Sequence, residues 1–130
     1  MPRAYTVATA ALALRVSNKW LDNTLSHYVV QGVNQARQGV SRRLAIDSLS
    51  ILNIALILIT DLELPLARAL TLAAELQRSA GNLTLPSGTS LQVDLEQLTA
   101  DLLSRLEHAV EVAPLPRRGR PPQKTTGRLN

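Results

Sequence analysis

The sequence predicts a mainly α-helical fold, with short β-hairpins between helices and a basic, disordered end. Three observations predict it. First, the 130 residues are 45% hydrophobic but only 2% aromatic, without a single Phe. The core must therefore be built from Leu, Ile, Val and Ala, and Leu and Ala are strong helix formers. Second, apolar residues recur at helical spacing in successive blocks separated by turn residues. Third, order ends at Pro114 and Pro116, after which apolar residues give way to arginine, proline and glycine. The length fits one domain with a tail.

The elements follow in order. Thr6 is placed to cap a first helix, whose Val7, Ala10, Ala11 and Leu14 form one apolar stripe at i, i+3, i+4 and i+7. Arg15 and Val16 make a tight connection, and Ser17 caps a second helix with Leu21, Leu25 and Tyr28 on its buried face. Two short helices joined this tightly read as a helix-turn-helix. Val30-Gln31-Gly32-Val33 and Val40-Ser41-Arg42-Arg43-Leu44 are strand-like and flank a turn at Arg37-Gln38-Gly39, with Gly39 supplying positive φ. A basic hairpin directly after a helix-turn-helix is a wing.

Ile46 to Thr60 is apolar nearly all round, interrupted by Ser48, Ser50 and Asn53; its length argues for a buried helix. Pro65 suits the first position of the next helix, which carries Leu66, Leu70, Ala73, Ala74 and Leu76 towards a C-terminal cap at Gly81. Leu83-Thr84-Leu85 and Leu91-Gln92-Val93 flank Pro86-Ser87-Gly88-Thr89 as a small hairpin. Asp94 with Gln97 resembles a capping box at the start of a last helix. Its Leu95, Leu98, Leu102, Leu106 and Val110 keep near-heptad spacing, a face that is either core or dimer seam.

Charge is unevenly spread. Residues 1–44 carry net +5, residues 45–64 net −3, residues 65–113 net −3 and residues 114–130 net +5. Basic ends around an acidic middle point to nucleic acid. Without cysteine, disulfides and thiolate metal sites are excluded, and a reducing cytoplasmic compartment fits. His27 and His108 lie far apart, with no His/Asp/Glu cluster at ligand spacing, so no metal or other cofactor is expected. Ala4 to Leu14 is too short, and too interrupted by Thr6 and Thr9, for a secretory leader. Leu49 to Ile59, bracketed by Asp47 and Asp61, is too short to cross a bilayer. Ser17, Ser41, His27 and Asp47 make no triad by spacing, and no phosphate-cradling glycine loop or carboxylate pair stands out, so no enzyme is expected.

Tyr5-Thr6-Val7 opening a helix, Arg15-Val16-Ser17 as a turn and Leu21 within the next helix resemble the start of the MerR-type winged-helix family. Arg42-Arg43-Leu44 before Asp47-Ser48-Leu49 resembles that family's wing exit and third helix, and Asp61-Leu62-Glu63-Leu64-Pro65-Leu66 its turn into a fourth. The similarity covers residues 5–76. It implies double-stranded DNA binding, usually as a homodimer, and transcriptional control. Asp22 stands where the family usually has arginine, and Leu44 where it usually has an aromatic.

The expected DNA-reading side chains are Asn18, Lys19 and Asn23 on the second helix, where Asn and Lys can meet purine edges in the major groove. Arg37, Gln38, Arg42 and Arg43 of the wing are candidates for phosphate or minor-groove contact. On an alternating strand Arg42 and Arg43 face opposite ways, so one can bind DNA while the other forms a salt bridge. Trp20 is expected to be partly core, and His27 a helix-end residue. In the tail, Arg117, Arg118, Gly119 and Arg120 before Pro121 resemble an AT-hook, an extended ribbon suited to a narrow A·T-rich minor groove.

The resulting expectation is a winged helix-turn-helix DNA-binding domain over residues 1–80, a hairpin and helix serving dimerisation over residues 81–113, and a disordered basic tail over residues 114–130. The function expected is sequence-specific recognition of double-stranded DNA, as a nucleoid-associated cytoplasmic transcriptional regulator. The rivals are a recombination directionality or other mobile-element accessory factor and a protein-interaction adaptor.

Overall fold

A computed structural model describes residues 4–34 and 42–112. The expected turn at Arg37-Gln38-Gly39, the strand residues Val40 and Ser41, and the AT-hook residues Arg117, Arg118, Gly119 and Arg120 lie outside the described residues. The fold is mainly α. In order it runs β1 (Ala4–Thr6), α1 (Val7–Leu14), α2 (Asn18–His27), β2 (Val33–Asn34), β3 (Arg43–Ala45), α3 (Ile46–Leu62), α4 (Leu66–Arg78), β4 (Asn82–Thr84), β5 (Ser90–Gln92) and α5 (Leu95–Val112). No described helix is long and apolar enough to cross a membrane.

Helix α1 starts where Thr6 Oγ1 accepts the Thr9 N–H at 3.1 Å. It stops in a Schellman turn: Arg15 takes left-handed φ 64, its N–H reaches the Leu12 carbonyl at 3.2 Å, and the Val16 N–H reaches Ala11 at 3.0 Å. Ser17 then caps α2 through the Trp20 N–H at 2.9 Å. The whole connection is three residues long because one helix's closing motif leads directly into the next helix's opening one.

The buried face of α2 differs from expectation. Leu21 is fully buried and Leu25 half-buried, but Tyr28 is exposed. The helix ends at His27, and Tyr28 turns out in extended backbone at φ −131. Thr24 is buried instead, its hydroxyl satisfied by donating to the Trp20 carbonyl at 2.8 Å.

A three-stranded antiparallel sheet has β3 in the centre, flanked by β1 and β2, with Leu44 opposite both Tyr5 and Val33. Strand β1 is absent from the sequence expectation, since three residues carry no readable alternation. Val30 to Val33 is not one strand. Gln31 and Gly32 form a turn, and Gly32 holds φ +92 where a Cβ would collide with Ser48 Oγ. Of the described residues in this stretch, Val33 and Asn34 pair with β3.

Helix α3 is the centre of the core, with Leu49, Leu52 and Ile54 fully buried, and it packs against α4. The three polar residues that interrupt its apolar run each hold a different segment. Ser48 Oγ donates to the Gln31 carbonyl at 2.7 Å, Ser50 Oγ donates to Gln77 Oε1 on α4, and Asn53 Oδ1 accepts from Arg105 Nη2 on α5 at 3.0 Å. Buried hydroxyls and amides need such partners, so these bonds also set where the segments sit.

Pro65 is the cap residue before α4 rather than its first residue. At the other end Ala80 takes left-handed φ 57 and Gly81, the expected cap, follows at φ 93, where its N–H closes the turn on Leu76 at 2.8 Å. Strands β4 and β5 pair as the expected small hairpin. Half of the expected capping box forms: Asp94 Oδ1 accepts the Gln97 N–H at 3.0 Å, while the Gln97 side chain donates forward to Asp101. Leu102 and Leu106 of α5 are buried, and the helix packs along α1. That face is core. Val110, expected on it, is exposed, and Ala109 is buried in its place.

Candidate nucleic-acid interface

With Leu21 and Thr24 turned inward, α2 presents Lys19, Asp22, Asn23 and Ser26 to solvent at i, i+3, i+4 and i+7, with Asn18 beside them in the first turn. All five are exposed. The structure thus brings the expected readers Asn18, Lys19 and Asn23 onto one surface. Among the described residues their side chains take part in no hydrogen bond or ion pair. The lower end of the face is internally bonded: Ser26 Oγ donates to the Asp22 carbonyl at 2.8 Å, and His27 Nδ1 lies 2.7 Å from the Asn23 carbonyl. His27 is therefore a helix-end residue, exposed to solvent.

Arg42 and Arg43 part ways. Arg42, just ahead of β3, reaches back to α2, where Nη1 donates to Asp22 Oδ1 at 3.1 Å and Nη2 to Ser26 Oγ at 3.0 Å. Its side chain is 16% exposed while Asp22 keeps 52%, so the arginine lies against the helix and the carboxylate stays at the surface. Asp22 adds no uncompensated negative charge to the face, because the guanidinium neutralises it locally. Arg43, next along the chain, lies in β3 opposite Thr6 and Asn34. It is half-buried, and its Nη1 is buried without a hydrogen-bond partner. The ion pair is thus made by Arg42, and Arg43 makes none among the described residues.

Trp20 is half-buried and packs against the core beside α2, which supports the helix from behind. Asn23, Thr24, His27, Tyr28 and Leu66 join it around a shallow cleft of about 290 Å³ at the helix end. The candidates Arg37 and Gln38 lie outside the described residues. Among the described residues, no group of three His, Asp or Glu side chains converges as a metal site.

Sequence reasoning missed the Arg42–Ser26 contact and the internal role of Asp22. The available signal was Asp22 facing a basic segment of the same short unit. Compared with protein-family models, curated proteins and solved structures, the chain matches none.

Proposed function

We propose that the chain is a winged helix-turn-helix protein that binds double-stranded DNA in a sequence-specific manner and regulates transcription. The observation that carries this reading is the exposed polar face of α2, on which the Asn18, Lys19 and Asn23 side chains have no partner among the described residues and Arg42 neutralises the one acidic group, Asp22. In this reading α1 and α2 are the helix-turn-helix, and α2 lies in the major groove. The β2–β3 connection is the wing. Asn18, Lys19 and Asn23 meet base edges, while Arg43, Arg37 and Gln38 meet phosphates or the adjacent minor groove. Arg117, Arg118, Gly119 and Arg120 form a tethered hook on nearby A·T-rich sequence. The acidic residues 65–113 face away from DNA and serve a homodimer, with the exposed Leu103 and Val110 as its apolar contacts.

Fluorescence anisotropy with a random duplex, repeated across salt concentrations, tests the reading. Each phosphate contact adds about −0.9 to the slope of log affinity against log salt. Lys19→Ala is expected to relax base preference, and Arg43→Ala to weaken all sequences alike and flatten the slope by about one contact. Absence of duplex binding at low salt overturns it.

A further inference from the structure

We propose that the cleft between α1 and α5 is a binding site for a small organic carboxylate. The cleft encloses about 340 Å³ and is lined by Leu12, Arg15, Ser104, Arg105, His108 and Ala109. That volume is within the range of small-molecule sites, and the lining has their usual character, an apolar floor with a few converging polar groups. No carboxylate is among the lining residues, whereas two guanidinium groups are.

Arg105 is held in place from inside the protein. Its Nε donates to the Ala13 carbonyl at 2.7 Å and its Nη2 to Asn53 Oδ1 at 3.0 Å. These two bonds orient the guanidinium plane before any ligand arrives, so little side-chain entropy is lost on binding. Burial and then the nearby Arg15 charge lower the Arg105 pKa, while Asp101 acts in the opposite direction. Asp101 already accepts a hydrogen bond from Gln97 Nε2 at 3.0 Å. Two mutually repelling cations at one cleft favour an anionic guest, because the guest's charge relieves their repulsion.

The remaining surface sets the chemical class. Leu12 is 47% exposed, and Ala109 continues the apolar floor. A carboxylate on Arg15 and Arg105 therefore leaves an aromatic or aliphatic body lying over Leu12 and Ala109, with Ser104 and His108 at the rim. Inorganic phosphate satisfies the cations alone and leaves the apolar floor wet. None of the lining residues belongs to the α2 face, so this site is independent of DNA binding.

The test is a titration of the full ¹⁵N-labelled chain, followed by amide chemical shifts, with sodium benzoate and sodium octanoate. Benzyl alcohol serves as the neutral control and inorganic phosphate as the charge-only control. The expected result is saturable shifts at residues 12–16 and 104–109, with Kd below about 1 mM for at least one carboxylate. Arg15→Asn is expected to weaken that binding about fivefold or more, since one charge-assisted contact is lost. Asn tolerates left-handed backbone, so the α1 turn survives this change. Ser104→Phe, at an exposed position, is expected to block the cleft. The proposal is overturned by absence of saturable shifts with both carboxylates, by equal affinity for benzyl alcohol or phosphate, or by unchanged affinity in folded Arg15→Asn. The comparison of carboxylate with alcohol uses the unaltered chain and decides the matter even if a variant fails to fold. Carboxylate binding without duplex binding overturns the DNA reading alone.

Discussion

Arg42 and Asp22, twenty residues apart in the chain, meet at 3.1 Å and tie the segment entering β3 to the exposed face of α2. The contact relates two parts of the proposed DNA surface by a single ion pair with a supporting hydrogen bond to Ser26. Because Asp22 is half exposed, solvent screens the pair, and its worth to stability is below about 1 kcal/mol. Its greater consequence is geometric: it holds the residue that leads into β3 against α2.

Replacing Asp22 with Asn removes the one acidic group of the α2 face and with it the ion pair to Arg42. Affinity for random duplex is expected to rise about two- to fivefold at low salt, and the gain to shrink as salt screens the added positive charge. Anisotropy titrations at several salt concentrations measure both. Unchanged or weaker binding counts against placing this face on DNA.

Ala80 spends its left-handed φ of 57 at the C-terminus of α4 on a conformation that strains any residue with a Cβ. Ala80→Gly relieves that strain at the cost of some unfolded-chain entropy. The net expectation is a gain of about 0.5–1 kcal/mol, seen as a Tm increase of a few degrees. Calorimetry checks it, and a lower Tm contradicts the strain argument.

Asn53→Ala leaves the Arg105 guanidinium with one internal partner instead of two. Loss of a hydrogen bond to a partly buried charge predicts destabilisation of about 1.5–3 kcal/mol, read as a shift in the urea midpoint without change in slope. A change below about 0.5 kcal/mol indicates that water replaces the amide.

Gly32→Ala is expected to cost more than Asn53→Ala, because it meets two obstacles: φ +92 and a clash between the new Cβ and Ser48 Oγ. The companion change Ser48→Ala removes the clash but leaves the Gln31 carbonyl without its hydroxyl donor. Chemical denaturation of both single variants and the double variant separates the terms. Without coupling between the two substitutions, the clash is not the source of the cost.

Truncation after Ala113 removes the AT-hook-like segment without touching a described element. Affinity for A·T-rich duplex is expected to fall about tenfold or more through loss of the tethered second contact. Equal affinity of truncated and full chains for A·T-rich and G·C-rich duplex rejects the hook.

Much of the helical framework was legible in the sequence because its signals act within about one turn. Thr6, Ser17 and Asp94 cap the helices they precede, and the apolar run after Ala45 is a helix whose length matches the pattern. Tyr28 shows the limit of periodicity. It stands at the right spacing from Leu21 and Leu25, yet the helix ends one residue earlier and Thr24 is the buried side chain. The α2 surface was legible by subtraction once Leu21 was placed inward. The partner of Asp22 was not, since either wing arginine had equal claim to a salt bridge from sequence spacing alone.

The sequence by itself determined the helices, the N-caps Thr6, Ser17 and Asp94 and the polar surface of α2, because backbone satisfaction and amphipathic spacing depend on neighbours a few positions away. Only the tertiary structure decided what the polar exceptions do. Ser48, Ser50 and Asn53 read as interruptions of an apolar helix, but packing gives them Gln31, Gln77 and Arg105 as partners. It likewise adds β1 to the sheet, assigns the α5 face to α1, and brings Arg15 and Arg105 to one cleft. A buried polar group must find a partner, but its own residue type does not say which distant segment supplies one; that follows from how the whole chain packs.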